Sequence, residues 1–251
     1  MLFRSLVLGM ILTFTVLSSQ YRAPFILLTG IGVFLTFSRS AILAWLIAVT
    51  GSLLMGKLRV KDFLLSLSIS LLLVVLVLLP RWDEFLTTLE RDGAMNKNVQ
   101  ERMAWLMDPT GVSDYSSWER KLIAKRAWDK TADHPLLGNG MGSSYETIQG
   151  THNQYLSFMQ DHGLIGAAIL PLLIVAVTWG ARGESKRVAV LFGGTFLLLG
   201  FFSHNIMNEP HALLLLGLLA AMALESRESQ VKGKLAMRTA EMGTPKAVIG
   251  I

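Results

Sequence analysis

Seven blocks of about 15 to 20 apolar residues, nearly free of charge, constrain this chain most, because that is close to the length at which a helix crosses roughly 30 Å of hydrocarbon. They lie at 3–20, 23–37, 41–56, 63–79, 164–179, 188–203 and 211–224. Residues 71–79, LLLVVLVLL, would suit a buried strand alone, but they extend an apolar run from Phe63 that only serines interrupt. Helices satisfy their own backbone hydrogen bonds in hydrocarbon, so each block is expected to be helical. The chain is 52% hydrophobic and 16% charged, against about 25% charged for an average soluble domain, which argues against a soluble globular enzyme. The expected fold is all-α: a polytopic integral membrane helix bundle of about seven spans, with one long extracytoplasmic loop containing an amphipathic helix. Four segments follow: membrane spans in 1–79, an outer loop in 80–151, further spans in 152–225 and a cytoplasmic tail in 226–251, read as a mobile end without helical periodicity.

The formal net charge of +5 is accounted for by how the connections sort. Lys57, Arg59 and Lys61 share one short loop, Arg182, Lys186 and Arg187 another, and Arg227, Lys232, Lys234 and Arg238 follow the last span. If the spans alternate, all of these fall on one side, which the positive-inside rule makes cytoplasmic. The 80–151 loop, with nine Lys/Arg against eleven Asp/Glu, then lies outside together with Met1. Anionic membrane lipids suffice as partners for the basic side, and no nucleic acid is needed. Arg4 followed by an apolar stretch also fits a signal peptide, but Val16 to Gln20 makes a poor small-residue cleavage site, so the first block is expected to remain a span.

The outer loop is long enough to hold structure of its own. Ser116 and Glu119 have capping-box spacing, and SSWERKLIAKRAWDKTAD continues as helix until His134-Pro135 ends it. Trp118, Leu122 and the Ala124 to Trp128 region can face the membrane, with Arg120, Lys121 and Lys125 toward polar surroundings. HPLLGNGMG follows. Its glycines resemble a phosphate loop in composition, but no Gly-Lys-Ser/Thr follows and no strand precedes, so they are read as turn glycines.

No cysteine is present, which removes disulfides, thiolate nucleophiles and thiolate metal sites. Among the five histidines, 134, 152, 162, 204 and 211, no pair has i, i+4 spacing and there is no HExxH, so no metal and no other cofactor is expected. His162 reads as a polar residue at the membrane boundary, and His134 as the end of its helix. His152 opens a helix-like run, HNQYLSFMQDHGLIG, in which His152, Tyr155, Met159 and Gly163 share a face. A histidine at a membrane boundary has the basicity that activation of a sugar hydroxyl requires.

Three pieces stand in order along the chain: TFSRSAILAW at 36–45; Arg120, fourteen residues before HPLLGNG; and His152-Asn153, nine residues, then Gly163-Leu-Ile-Gly166. SHNIMNEPHALLL continues the pattern at 203–215. In these pieces the sequence resembles the bacterial O-antigen ligase and polymerase family of membrane glycosyltransferases. The resemblance implies transfer of a glycan from an undecaprenyl-diphosphate carrier to an acceptor hydroxyl, of lipid A core or another glycan, at the outer face of the inner membrane. It implies His152 as catalytic base, with Arg39 and Arg120 binding the diphosphate as permanently charged, bidentate donors. Inversion by one displacement would then need no metal. Asn153 and Glu209 are further substrate-binding candidates; Glu209 could orient His152 or an acceptor, and Tyr145, Asn153 and Gln154 could line the sugar path. Arg126 is not on the face of Arg120. Members usually carry more spans before the SRSA motif, so the chain reads as a form lacking the N-terminal part, whose helices would help enclose a polyprenyl groove. A repeat-unit polymerase is the neighbouring alternative, and an inactive truncated homologue, or a transporter or scaffold, is the alternative of another class. Transporters place ionisable groups at mid-membrane, and here the span centres nearly lack them.

Overall fold

The computed structural model describes residues 2–34, 36, 38–73, 76, 79–91, 115–145, 151, 153–203 and 205–243. Every regular element among them is helical: α1 (Leu2–Thr13), α2 (Ser19–Phe34), α3 (Arg39–Leu54), α4 (Val60–Leu73), α5 (Trp82–Arg91), α6 (Tyr115–Asp133), α7 (Gln154–His162), α8 (Gly166–Thr178), α9 (Gly183–Phe201) and α10 (Pro210–Gly243), with short 3-10 turns between some of them. A helix lies within each of the seven predicted apolar blocks. One stretch, Gln154–Thr178, is both long and apolar enough by composition to cross a membrane, and it is interrupted at Gly163, whose φ is +68°.

The order of packing follows from apolar faces. Helix α1 is largely apolar, and Val7, Leu8, Met10 and Ile11, with Phe14 just after it, are all buried, so it takes the centre of the bundle against α2, α3, α9 and α10. Helix α9 brings Val188, Phe192, Phe196 and Leu199 to the same core, with the rings of Phe192 and Phe196 6.0 Å apart. Helix α10 turns Ala212, Leu216, Leu219 and Ala223 inward at helical spacing. Large apolar side chains also point outward, among them Leu64, Leu65, Leu71 and Leu72 of α4 and Leu214 and Leu218 of α10.

Side-chain contacts fix the two ends of the bundle. Arg22 donates to the carbonyls of Phe14 at 2.8 Å, Leu17 at 3.0 Å and Lys57 at 3.1 Å, binding the α1–α2 turn to the α3–α4 turn. Lys57 pairs with Glu184, Arg187 reaches the Met55 carbonyl, and the Arg182 amide donates to Ser226 Oγ. The three predicted basic segments therefore meet at one end. Helix α3 ends there at Gly56, whose φ of +67° is the left-handed cap that terminates helices. Sixteen residues of α3 rise about 24 Å, which puts its first residue, Arg39, at the opposite end.

Two expectations change. The segment from 226 was expected to be a mobile tail, but α10 continues through it to Gly243. ESRESQVKGKLAMRTAEM has no apolar stripe, yet it is rich in helix formers, has Glu228 and Lys232 at i, i+4 spacing and meets no proline before Pro245. Helix α6 starts at Tyr115, so Ser116 lies within its first turn rather than ahead of it. Its buried face runs through Ile123, Ala127 and Thr131, while Trp118 and Trp128 are exposed.

Candidate active site

The polar end is organised by α7, which is nine residues long, the same nine residues that separate His152-Asn153 from Gly163. Asn153 is the N-cap: at φ −148° it leaves the helix, and its Oδ1 accepts from the amides of Tyr155 at 2.9 Å and Leu156 at 3.2 Å. At the other terminus Gly163 breaks the helix in a left-handed conformation. A Cβ at Gly163 would sit 2.4 Å from the Leu136 carbonyl oxygen, and one at Gly166 would sit 2.0 Å from that of Phe158. Both are backbone contacts that cannot move aside. The motif is thus a helix of set length, capped by Asn153 and closed by two glycines that let α8 start directly against α7.

The glycine-rich stretch after α6 covers this closure. Gly138, Gly140 and Gly142 have φ of +72°, +94° and +91°, as turn glycines do. The Asn139 amide donates to the Gln160 carbonyl at 2.9 Å, and the Leu164 amide to that of Pro135 at 2.7 Å. Asp161 locks the arrangement: its buried carboxylate accepts from Ser143 Oγ at 3.0 Å, the Ser144 amide at 2.8 Å and Ser144 Oγ at 3.1 Å. Gln160 Nε2 donates to the Ser143 carbonyl at 2.7 Å. These residues were not singled out from sequence. The available signal was Asp161 itself, the single carboxylate between 154 and 178, where a carboxylate needs donors if it is buried.

The remaining side chains at this end come from α1, α9 and α10. Tyr155 donates to the Leu197 carbonyl at 3.0 Å and rests 5.1 Å from the ring of Phe201. Asn208 Nδ2 donates to the Tyr145 hydroxyl at 2.7 Å, joining the glycine loop to the turn before α10. Glu209 is buried and pairs with Arg4, which also donates to Asn205 Oδ1 at 3.1 Å. Arg4 as its partner was missed, since nothing in sequence links positions 205 residues apart.

A family model described as O-antigen ligase matches residues 24–171, more than half of the chain. The chain belongs to the O-antigen ligase family. No curated protein and no solved structure matches it. The matched residues of this family member run from Pro24 in α2 to Pro171 in α8 and take in the SRSA motif, Arg120, the glycine loop and all of α7, while Glu209 lies beyond them.

The predicted site residues fall as follows. His152 lies outside the described residues, as does His204. Asn153 caps α7. Arg39 starts α3 at the polar end. Arg120 is exposed on α6, which packs against α7. Helix α3 thus begins, with Arg39, toward the end of the bundle to which Tyr155 ties α7.

Proposed function

We propose that this O-antigen ligase family member is a multi-pass membrane glycosyltransferase that moves a glycan from an undecaprenyl-diphosphate carrier to an acceptor hydroxyl at the outer face of the bacterial inner membrane. His152 takes the proton of the attacking hydroxyl. Arg39 and Arg120 neutralise the charge that grows on the departing diphosphate, as guanidinium forks do well in a partly dry site. The sugar is inverted in one displacement without a metal. Asn153 presents its Nδ2 to substrate, and Glu209 orients the acceptor side.

The observation that supports this reading is the nine-residue helix α7, capped by Asn153, the residue that follows His152 in sequence, and tied to the end of the bundle where α3 begins. The membrane placement is supported by the outward-facing leucines of α4 and α10 and by the gathering of Arg22, Lys57, Arg182 and Arg187 at the other end, the pattern expected of a cytoplasmic face. An apolar groove of about 500 Å³ between α1, α2 and α10, lined by Ser5, Gly9, Phe25, Leu215 and Met222 among others, offers a path for the polyprenyl chain.

Replacing His152 with alanine is expected to abolish glycan transfer while membrane insertion, followed by protease protection, is unchanged. Turnover at the wild-type rate in that variant would remove the base from the mechanism. Supplying a carrier-linked donor with lipid A core in one reaction and with free oligosaccharide in another separates ligase from polymerase.

A further inference from the structure

Gln154 is the first residue of α7 and is 5% exposed. Its Oε1 is buried and meets no hydrogen-bond donor among the described residues. The polar groups around it are matched. Thr151 and Ser157, both buried, share a hydrogen bond of 2.6 Å, and Asn153 Oδ1 is taken up by two helix amides. Tyr155 is committed to the Leu197 carbonyl. Gln160 also has an unmatched Oε1, but its Nε2 is tied into the glycine loop, so it belongs to that clasp.

The position of Gln154 is held from two sides. Gly200 of α9 faces it so closely that a Cβ there would lie 3.9 Å from Gln154 Cβ and 3.5 Å from Tyr155 Cε2. Gln154 therefore stands where the start of α7 meets α9. Large majorities of buried polar side-chain atoms find a partner, and an acceptor left without one weakens the fold, so such an atom points to a donor that arrives from outside the chain. An amide oxygen accepts and does not donate. A diphosphate brings no donor and a polyprenyl chain brings no polar group, whereas a sugar hydroxyl is a neutral donor of the right kind.

We infer that Gln154 Oε1 accepts a hydrogen bond from a hydroxyl of the carrier-linked sugar, making this residue a sugar-reading element of the site. The inference rests on the carrier-dependent reading given above and adds to it the residue that distinguishes a glycosylated carrier from a bare one.

The test uses the full chain in lipid nanodiscs and two probes, a polyprenyl diphosphate carrying N-acetylglucosamine and the same polyprenyl diphosphate without sugar. Gln154→Met keeps the length of the side chain and removes the acceptor. It is expected to weaken binding of the sugar-bearing probe by about three- to tenfold, the range for loss of one neutral hydrogen bond, with the bare probe unaffected. Gln154→Glu, which retains acceptor oxygens, is expected to keep most of the discrimination and covers the case in which the methionine variant does not fold. Equal affinity of the methionine variant and wild type for the sugar-bearing probe overturns the inference, and a lower melting temperature with unchanged affinity would assign the amide to a structural water instead. Equal loss for both probes overturns it as well, since that reports the diphosphate or the fold. Failure of wild type to bind either probe sinks the carrier reading itself, and the inference with it.

Discussion

Arg22, at the basic end, donates to three main-chain carbonyls, and Lys57 is closed over by Glu184, so the charges there are used to fasten turns. At the polar end Asp161 fastens a loop in the same way, but Gln154 keeps a buried acceptor unmatched among the described residues and Arg120 stands exposed on α6. The difference teaches that burial of charge does not set apart the end proposed to be reactive. What marks it is hydrogen-bonding capacity that the chain itself does not satisfy, held on a rigid and tightly closed support.

If the support is what makes the polar end special, breaking the closure of α7 should have the largest effect of any change outside the chemistry. Gly163→Ala forces an alanine into a left-handed backbone and drives its Cβ to 2.4 Å from the Leu136 carbonyl oxygen. The left-handed conformation alone costs about 1–2 kcal/mol, and the clash takes the total to roughly 3 kcal/mol or more. Gly140→Ala is the control, because its φ of +94° carries the same strain with nothing within 4 Å. Thermal unfolding in detergent should rank the two; similar midpoints would mean the closure is not tightly packed. Next in size is Asp161→Ala, which removes the carboxylate that takes three hydrogen bonds from Ser143 and Ser144. A loss of about 1–3 kcal/mol is expected, read most directly as faster hydrogen exchange at the Ser144 amide.

Much of the architecture was legible in the apolar blocks, since a helix that must bury a side or meet lipid writes that requirement into consecutive residues. The clustering of Lys57, Arg182 and Arg187 was legible from loop charge for the same reason. The extension of α10 was not, because an exposed stretch of helix such as 227–237 is held by propensity and needs no apolar period. Nor was the pairing of Arg4 with Glu209, which exists only after α1 and α10 pack together. The spacing of the His152-Asn153 and glycine motif was visible as a number, and its cause, the length of one helix between a cap and a break, required the backbone.

Asn153 allows cap and substrate roles to be told apart. Asn153→Ala should destabilise α7 by about 1 kcal/mol through loss of the cap. Asn153→Asp keeps a capping oxygen and puts an anion at a helix N-terminus, so its unfolding midpoint should match wild type. It lacks the Nδ2 donor, however, and transfer is expected to fall in this variant despite an intact helix. Wild-type turnover in the aspartate variant would confine Asn153 to capping.

The smallest effect belongs to the basic end and tests whether its charges are only fasteners. Burial in the first place, then the positive charges of Arg22 and Arg187, hold the Lys57 ammonium below the ordinary lysine value of 10.5. The unfolded chain therefore binds this proton more tightly than the folded one, and stability should rise with pH across the interval that ends near 10.5. Glu184 is well exposed and loses little when its partner becomes neutral, so it does not reverse the sign. A Lys57→Met variant should lack this alkaline gain when unfolding midpoints are followed in detergent from pH 8 upward, on the order of the shift between ordinary and perturbed lysines. Glycan transfer at neutral pH should not change, because Lys57 lies a full helix length of α3 from Arg39.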